Sequence, residues 1–337
     1  MSIKAWIWRN ARFSIAPMMD WTDRHCRFFH RQFSVHALLY TEMVTAAAIV
    51  RGDADRLLSY SDAEHPVALQ LGGSDPVELA EATRIACSYG YDEINLNVGC
   101  PSDRVQSGSF GAVLMERPEL VANCVGAMIA ASDGAEITVK CRIGVDDQKP
   151  EQGLPNFLQK VSDAGVFRVT VHARKAWLEG LSPKENRDIP PLDYPLVYSM
   201  KTEFPDLHLS INGGITDLDQ AKAHLDKGMD GAMIGRAAYH EPANILGSVD
   251  QRFFDGEGAV SAEAAVEAMK PYIALHLEQG GKLAQVTRHM LGAFSGRPGA
   301  RGWRRVLSEH GHKPDAGLDT LEAALAHIRE PHRQIAS

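Results

Sequence analysis

The sequence is poor in cysteine and has no long apolar run. Its five cysteines are scattered, odd in number and form no CxxC pair, so they indicate neither a disulfide framework nor a zinc site. The first residues, MSIKAWIWRN, are mixed in character, and no stretch approaches the roughly 20 apolar residues of a membrane helix. We therefore expect a soluble cytoplasmic protein with no membrane segment and no metal.

Positive charge is also scarce. The chain of 337 residues has 35 Lys and Arg against 43 Asp and Glu, a formal net charge of −8. This balance argues against a protein coated in basic residues but leaves room for a local basic patch. With 45% hydrophobic residues, the chain can form one barrel-sized domain with an appendage, or two medium domains.

From about residue 13 to residue 238, short apolar runs alternate with helical patterns, which is typical of β/α units around a parallel sheet. There are eight runs, and they read FSIAPM, ALLYTEM, PVALQLGG, DEINLNVGC, EITVKCRIG, RVTVHAR, LHLSINGGI and GAMIGRAA. In the intervening segment DPVELAEATRIACSYG, Asp75 or Ser74 can cap a helix and Gly90 can end it. Eight strands with helical crossovers predict an α/β fold, a (β/α)₈ TIM barrel.

The pattern changes after His240. The segments SAEAAVEAMKPYIALHLEQG, KLAQVTRHMLGAF and TLEAALAHIR are helical in period, with no strand-like run between them. We therefore predict a barrel domain over residues 1–244 and a small C-terminal helical domain over residues 245–337.

Polar residues at the carboxyl ends of the predicted strands indicate a functional site, because a barrel carries its active site on that rim. In chain order they are Met18 and Asp20, Glu42, Gln70, Asn97 with Cys100, Lys140 with Arg142, His172 with Arg174, Asn212, and Arg236. Any one of them could be a cap or a satisfied core group, but a set that converges on one rim favours function.

Two glycine motifs follow the last two strands, INGGI at residues 211–215 and MIGRA at residues 233–237. Each could be an ordinary tight turn. Their pairing after strands seven and eight favours a phosphate site, because glycine lets backbone N–H groups approach an anion.

Lys140 ends a β-branched run, so its ammonium needs an anionic partner. A structural salt bridge is one reading. A reduced flavin, which is negative on its pyrimidine side, is the other, and Gln70 could form paired hydrogen bonds with the same ring edge.

The motifs APMMDWTDRHC, LNVGCPS, VKCRIG, VHAR, INGG and IGRA, in this order on these strands, resemble the tRNA-dihydrouridine synthase family. The strings RHCRFF, YTEMVTA, ARKAWLEGLSPKENR and RPGARGWRR resemble its bacterial subfamily A, the tRNA-dihydrouridine(20/20a) synthases, and the similarity covers nearly the whole chain. The resemblance implies a barrel followed by a helical domain. It also implies an FMN enzyme that uses NADPH to reduce uridine in the tRNA D-loop, at positions 20 and 20a.

The resemblance also implies roles for individual residues. The FMN contacts would be Pro17, Met18, Met19, Gln70, Lys140, His172, Asn212, Gly213, Gly214, Gly235 and Arg236. The family often has a smaller residue in place of Met19. The catalytic proton donor would be Cys100, and the tRNA contacts would be Asn97, Lys184, Arg187, Arg301 and Arg304.

The chemistry suits a thiol at Cys100. Hydride addition at C6 of uracil leaves negative charge over C5 and O4, so C5 then needs a proton. An ordinary thiol, with a pKa of about 8.5, is mostly protonated at neutral pH and still acidic enough to donate. The alternative, a small buried hydrophobe, fits the other cysteines better, because they lie within helix or strand patterns; these are Cys26, Cys87, Cys124 and Cys141.

The segment from Ser102 to Glu116 is long for a βα loop and contains Gly108 and Gly111. We expect it to move Cys100 into place when RNA binds, with a static loop as the alternative.

A uridine in folded tRNA must turn out of its stack to reach a barrel mouth, and the surrounding surface must then hold phosphates. Between Glu278 and Glu309 the chain has no acidic residue. It has six basic ones there, Lys282, Arg288, Arg297, Arg301, Arg304 and Arg305. This segment predicts a basic patch on an acidic protein.

Two rival functions stay open. A flavin barrel that acts on a free pyrimidine, as dihydroorotate dehydrogenases do, would leave the basic C-terminal segment without a role. An RNA-binding module without catalysis would leave the flavin set without one. The sequence indicates no obligate protein partner.

Overall fold

A computed structural model describes residues 11–102 and 110–329. The chain divides into two compact units. The first comprises Met1–Met19 and Leu38–Gly235, and the second comprises Asp20–Ala37 and Arg236–Ser337. The division at Gly235 differs from the boundary after residue 244 that the sequence pattern suggests, and the segment Asp20–Ala37 groups with the C-terminal helices.

The first unit contains a closed barrel of eight parallel strands in sequence order, with the last strand paired to the first. Each apolar run coincides with one strand. The strands are β1 Phe13–Ile15, β2 Leu38–Thr45, β3 Val67–Gly72, β4 Glu93–Val98, β5 Glu136–Arg142, β6 Arg168–His172, β7 His208–Asn212 and β8 Gly231–Ile234. The predicted (β/α)₈ barrel is confirmed.

The α-helices of the described chain follow the same order. They are α1 Arg24–Arg31, α2 Ala46–Arg51, α3 Ala54–Leu58, α4 Pro76–Cys87, α5 Pro118–Ala131, α6 Pro150–Asp163, α7 Glu185–Asp188, α8 Tyr194–Glu203, α9 Leu218–Asp226, α10 Arg236–His240, α11 Pro242–Leu246, α12 Val249–Phe253, α13 Ala262–Ala268, α14 Lys270–Glu278, α15 Leu283–Thr287, α16 Ala300–His310 and α17 Leu318–Arg329. Two 3₁₀ helices span Asp62–Glu64 and Gly111–Glu116. None of these helices is long and apolar enough to cross a membrane.

Helix α4 forms as its sequence signals predict. The Asp75 carboxylate accepts hydrogen bonds from the N–H groups of Val77 and Glu78, at 2.8 and 3.0 Å, and Pro76 occupies the first turn. Past the helix, Gly90 takes a positive φ of 78°, which suits glycine.

Alternation along β5 separates the barrel interior from the helix layer. Ile137, Val139 and Cys141 form one buried apolar face of the strand. Polar residues take the alternate positions, ending in Lys140 and Arg142. The barrel therefore directs polar side chains to the face on which the site residues were predicted.

In the second unit, Asp23 ties α1 to the C-terminal helices. Its carboxylate caps α1 by accepting from the N–H of Cys26 at 3.0 Å, and it also pairs with Arg288 at 2.5 Å. Phe28 of α1 stacks on Tyr272 of α14, with ring centroids 4.0 Å apart. These contacts explain why Asp20–Ala37 groups with this unit.

Candidate active site at the barrel mouth

Strand register brings the predicted site residues to the same height on neighbouring strands. Asn97 of β4 pairs with Lys140 of β5. Arg142 pairs with His172 of β6, and His172 pairs with Asn212 of β7. The carboxyl ends of these four strands therefore carry one contiguous polar rim.

Cys100 lies two residues beyond β4, in a loop whose backbone is held on both sides. The N–H groups of Gly99 and Cys100 donate to the Asn97 side-chain oxygen, each at 3.0 Å. The Cys100 carbonyl accepts from the N–H of Ala112 at 2.9 Å. The thiol is half-buried and donates to the Ser102 hydroxyl at a sulfur–oxygen distance of 3.4 Å. The loop thus fixes the position of Cys100 at the rim.

Asn97 is 8% exposed, and its amide belongs to a buried polar ladder. Its Nδ2 donates to Gln70 Oε1 at 2.8 Å, and Gln70 Nε2 donates to Asn95 Oδ1 at 2.9 Å. Asn95 in turn donates to Thr138 at 2.7 Å, and the Thr138 hydroxyl donates to Glu93. The role of Asn97 within the protein is to hold the Cys100 loop, while its contact with tRNA stays a prediction.

Arg142 was predicted at the rim without a specific role, and the structure shows that it is a buried side chain that holds two loops. Its Nε donates to the carbonyl of Gly99 at 2.9 Å. Its Nη1 donates to the carbonyls of Lys175 and Asn186 at 2.9 and 3.0 Å. One guanidinium therefore joins the Cys100 loop to the loop that follows β6. The alternation that places Lys140 on the inner face also selects Arg142, so the sequence carried a signal for it.

The rim concentrates positive charge. Burial and then repulsion from Arg142 lower the pKa of Lys140 to about 8, and burial lowers the pKa of Arg142 to about 10. Burial also holds the pKa of His172 well below its usual range, and the nearby charges of Arg142, Lys140, Arg174 and Arg187 push it further down. The imidazole is therefore neutral at pH 7. A cluster of cations that depress one another's pKa values is suited to bind an anion.

The INGG motif is required by the packing of His172. Gly213 has a φ of 109°, and a Cβ on it would lie 2.4 Å from Cδ2 of the imidazole. Tyr194 donates to the Gly213 carbonyl at 2.6 Å, and Asn212 Nδ2 donates to the Met233 carbonyl at 2.8 Å. The loop after β7 is thereby fixed against the neighbouring strand.

Gly235 is different, because the protein itself does not require glycine there. Its φ is not positive, and an added Cβ would only touch Ala16 and Met18, each at an ordinary 3.5 Å. A bare backbone at this position suits the close approach of a ligand phosphate.

This contrast gives a prediction for stability. Gly213→Ala should lower the free energy of unfolding by roughly 1–3 kcal/mol, because the strained φ and the clash with His172 both act against the fold. Gly235→Ala is the matched control and should change it by less than about 0.5 kcal/mol. Thermal unfolding of the two variants measures both effects. Equal melting temperatures would contradict the conclusion that the fold requires glycine at Gly213 but not at Gly235.

The remaining predicted FMN residues flank the strand ends. Pro17 and Met18 are half-buried after β1, whereas the side chain of Met19 is 54% exposed. Arg236 begins α10, in the second unit. Their contacts with FMN stay predictions.

All five cysteines carry thiols. Cys26, Cys124 and Cys141 are buried, and burial raises the pKa of both Cys124 and Cys141 to about 12. Cys87 ends α4, away from the strand ends. Cys100 is the cysteine on the rim.

Apart from the buried Asn97, the predicted tRNA residues are exposed, two in each unit. Lys184 and Arg187 lie in the loop after β6, and Arg301 and Arg304 lie on α16. In the second unit, two other members of the basic patch are engaged in ion pairs, Arg288 with Asp23 and Arg297 with Glu263, each at 2.5 Å. The patch available to an RNA is therefore smaller than the count of basic residues suggests.

Two further predictions concern loop movement and metal. Residues 103–109, in the centre of the segment expected to move, lie outside the described residues. Within the described ranges, no group of three His, Cys, Asp or Glu side chains could hold a metal ion.

The fold and the site define a (β/α)₈ barrel with a basic, cysteine-bearing mouth. Similar barrels are found in the old yellow enzyme homologue from Zymomonas mobilis, at a TM-score of 0.53 and 15% identity, with 75% of this chain and 92% of that chain covered. At this identity the likeness concerns the fold alone.

Sequence comparison is more specific. The profile of the family described as dihydrouridine synthase (Dus) matches residues 14–329. The tRNA-dihydrouridine(20/20a) synthase of Shewanella oneidensis is 56% identical over 318 residues, 94% of each chain. That of Escherichia coli K12 is 58% identical over 319 residues, 94% of this chain and 91% of that protein. The chain belongs to the dihydrouridine synthase family, as the resemblance predicted.

Proposed function

We propose that this chain is a tRNA-dihydrouridine synthase that reduces the C5=C6 bond of uridine at positions 20 and 20a of the tRNA D-loop. FMN is the bound cofactor and NADPH the reductant in this proposal. The names of the similar proteins support the substrate and the positions. The single observation that carries the chemistry is the position of Cys100, held by Asn97 and Arg142 on a cationic strand-end rim.

The residues of the mouth fit a flavin mononucleotide. Lys140 and Arg142 supply positive charge for an electron-rich ring, and the Gly235 backbone is open to a phosphate. Gln70 Oε1 and Nε2 are held by Asn97 and Asn95, so its amide has a fixed orientation. A bound reduced flavin would supply the hydride that C6 of uracil accepts.

The protein's own contribution is a proton at a fixed position. The Cys100 thiol would donate its proton to C5, and the Ser102 hydroxyl, 3.4 Å from the sulfur, orients that proton beforehand. Asn97 and Ala112 hold the backbone of Cys100 through hydrogen bonds, which gives the thiol a defined position at the rim.

Surface cations would bind the RNA. Lys184 and Arg187 lie in the loop after β6, which Arg142 joins to the Cys100 loop, and are therefore suited to phosphates near the target base. In the second unit, the exposed Arg301 and Arg304 are suited to phosphates elsewhere on the tRNA.

The test uses tRNA from cells with and without the protein, digested and mapped for dihydrouridine position by position. We expect loss at positions 20 and 20a, and an unchanged profile would contradict the proposal. The purified protein should be yellow and should reduce uridine in tRNA with NADPH. A colourless protein that cannot take up FMN would exclude the flavin mechanism, whereas turnover of uracil alone would favour a pyrimidine-reducing enzyme.

The pKa of Lys140 predicts that FMN affinity depends on pH. Its pKa of about 8 in the ligand-free protein means that the cation is present below pH 8 and is lost as the pH rises through it. FMN affinity should therefore fall by roughly 3- to 10-fold between pH 7 and pH 9. Titration of apoprotein with FMN at each pH measures this effect.

Two variants sharpen that titration. Lys140→Met should bind FMN weakly, with little change across the same pH range, because the titrating group is gone. Lys160→Met removes an exposed lysine paired with Glu119 and should behave as the unmodified protein does. A pH dependence that persists in Lys140→Met would show that another group is responsible.

A further inference from the structure

Trp177 is an exposed aromatic residue in the loop after β6. Its side chain is 38% exposed, although burial of an indole is strongly favourable. None of the functions argued so far uses this residue. An exposed tryptophan beside a candidate site therefore calls for a physical reason.

The backbone that carries Trp177 is rigidly held. Its N–H donates to Asn186 Oδ1 at 2.7 Å, and Asn186 Nδ2 donates back to its carbonyl at 2.8 Å. Asn186 is fully buried, at 0% exposed. The next residue, Leu178, donates its N–H to Asp146 Oδ1 at 2.8 Å. A buried amide thus fixes a backbone whose side chain is displayed to solvent.

One cation lies over the displayed ring, and two more are carried by the same segment of chain. The Lys175 ammonium lies over the indole, 5.0 Å from the ring centroid. Lys184 and Arg187 are exposed in the same loop. Aromatic faces combined with lysine and arginine are the usual means of holding single-stranded nucleic acid, since bases stack on the rings and phosphates pair with the cations.

Arg142 relates this ring to the reacting centre. Its guanidinium contacts the carbonyl of Gly99, next to Cys100, and that of Lys175, two residues before Trp177. The two loops are therefore held by one side chain. Trp177 is therefore carried by a loop that is anchored beside the Cys100 loop.

We propose that Trp177 is a stacking platform for an unpaired tRNA base next to the target uridine. The proposal rests on the proposed function, because it takes tRNA as the substrate. Turning a uridine out of its stack removes the stacking partner of its neighbour, and an indole face replaces that partner. Trp177 then contributes to tRNA binding without taking part in the chemistry of the uracil ring.

The test compares FMN-loaded variants at Trp177 with a matched control. Trp177→Ala should weaken tRNA binding by roughly 5- to 100-fold, as loss of one base–aromatic stack does. Trp177→Phe should stay within about 3-fold of the unmodified protein, because it keeps an aromatic face. Phe167→Ala is the control. Phe167 is 55% exposed but precedes β6, at the opposite end of the same strand, so its removal should leave affinity unchanged.

A second measurement separates stacking from folding. A tRNA carrying 2-aminopurine beside the target uridine should lose fluorescence on binding to the unmodified protein and to Trp177→Phe. With Trp177→Leu, which keeps apolar bulk but has no ring, the quenching should be lost. Unchanged affinity in Trp177→Ala, or full quenching by Trp177→Leu, would overturn the proposal. If the unmodified protein binds tRNA with these responses but forms no dihydrouridine, the proposed function fails instead.

Discussion

Cys100→Ala should lower the rate of dihydrouridine formation by roughly 10²- to 10⁴-fold, the usual contribution of a positioned general acid. In the proposed mechanism the thiol supplies the proton that C5 of uracil requires, and without it the proton must come from water. FMN content and tRNA affinity should stay within about 2-fold, because the side chain is small and the loop is held through its backbone. Single-turnover rates with saturating tRNA isolate the chemical step.

Two further variants make this result specific. Cys100→Ser should be nearly as slow as alanine, since a hydroxyl is a far weaker acid than a thiol. Cys87→Ala, at the end of α4 and outside the rim, should react as the unmodified protein does. If Cys100→Ala turned over at the normal rate, proton donation by this residue would be excluded, while the flavin and tRNA proposals would stand.

The barrel itself could be predicted from sequence because each strand is a local signal. Apolar runs such as that before Asn97, and turn residues such as Gly90, depend on neighbours in the chain. The INGGI motif could be a tight turn or a phosphate site; Gly213 and Gly214 have the positive φ angles of a turn, 109° and 72°, while the phosphate stays a prediction. Local chemistry thus decided where the elements lie.

Contacts that join distant segments could not be predicted in this way. Arg142 meets Gly99 and Asn186, 43 and 44 residues away in the chain, and no spacing rule links those positions. The hydrogen-bond partners of Asn97 could not be predicted either. The alternation in β4 indicates only that Asn95 and Asn97 point to the same face. The sequence identified the rim residues, whereas the structure was needed to find which ones hold the others.

Helix α16 shows a second limit of prediction from sequence. Its buried residues Ala300, Trp303 and Leu307 follow a helical spacing. Because of the arginines between them, the segment was predicted only as a basic patch. Both descriptions hold, since Arg301 and Arg304 are exposed while Trp303 is buried and donates to the Met290 carbonyl at 3.1 Å. Charge content alone therefore gave no information on secondary structure here.

The largest expected loss of stability comes from replacing Arg168, which pairs with Glu93 at the end of the buried polar ladder. Arg168, almost fully buried, pairs with Glu136 at 2.6 Å and also with Glu93, which accepts from Tyr40 at 2.5 Å. Burial alone would lower the pKa of Arg168, but the two carboxylates outweigh it and raise the pKa well above its usual value. Arg168→Met would leave both carboxylates without their cation in the barrel interior. It should lower the free energy of unfolding by about 3–5 kcal/mol, measured by urea titration.

The pH dependence of this loss identifies its cause. Burial already raises the pKa of Glu136, and in Arg168→Met it should rise further, because the cation that opposes this rise is gone. Stability is then retained at acidic pH and lost as the pH rises through the folded-state pKa of Glu136, so the deficit should be larger at pH 8 than at pH 5. Adding Glu93→Gln and Glu136→Gln should recover part of the loss at pH 8.

Arg84→Met, which breaks an exposed pair with Glu81, is the control and should cost less than about 1 kcal/mol at either pH. A deficit independent of pH would instead point to lost packing of the arginine side chain.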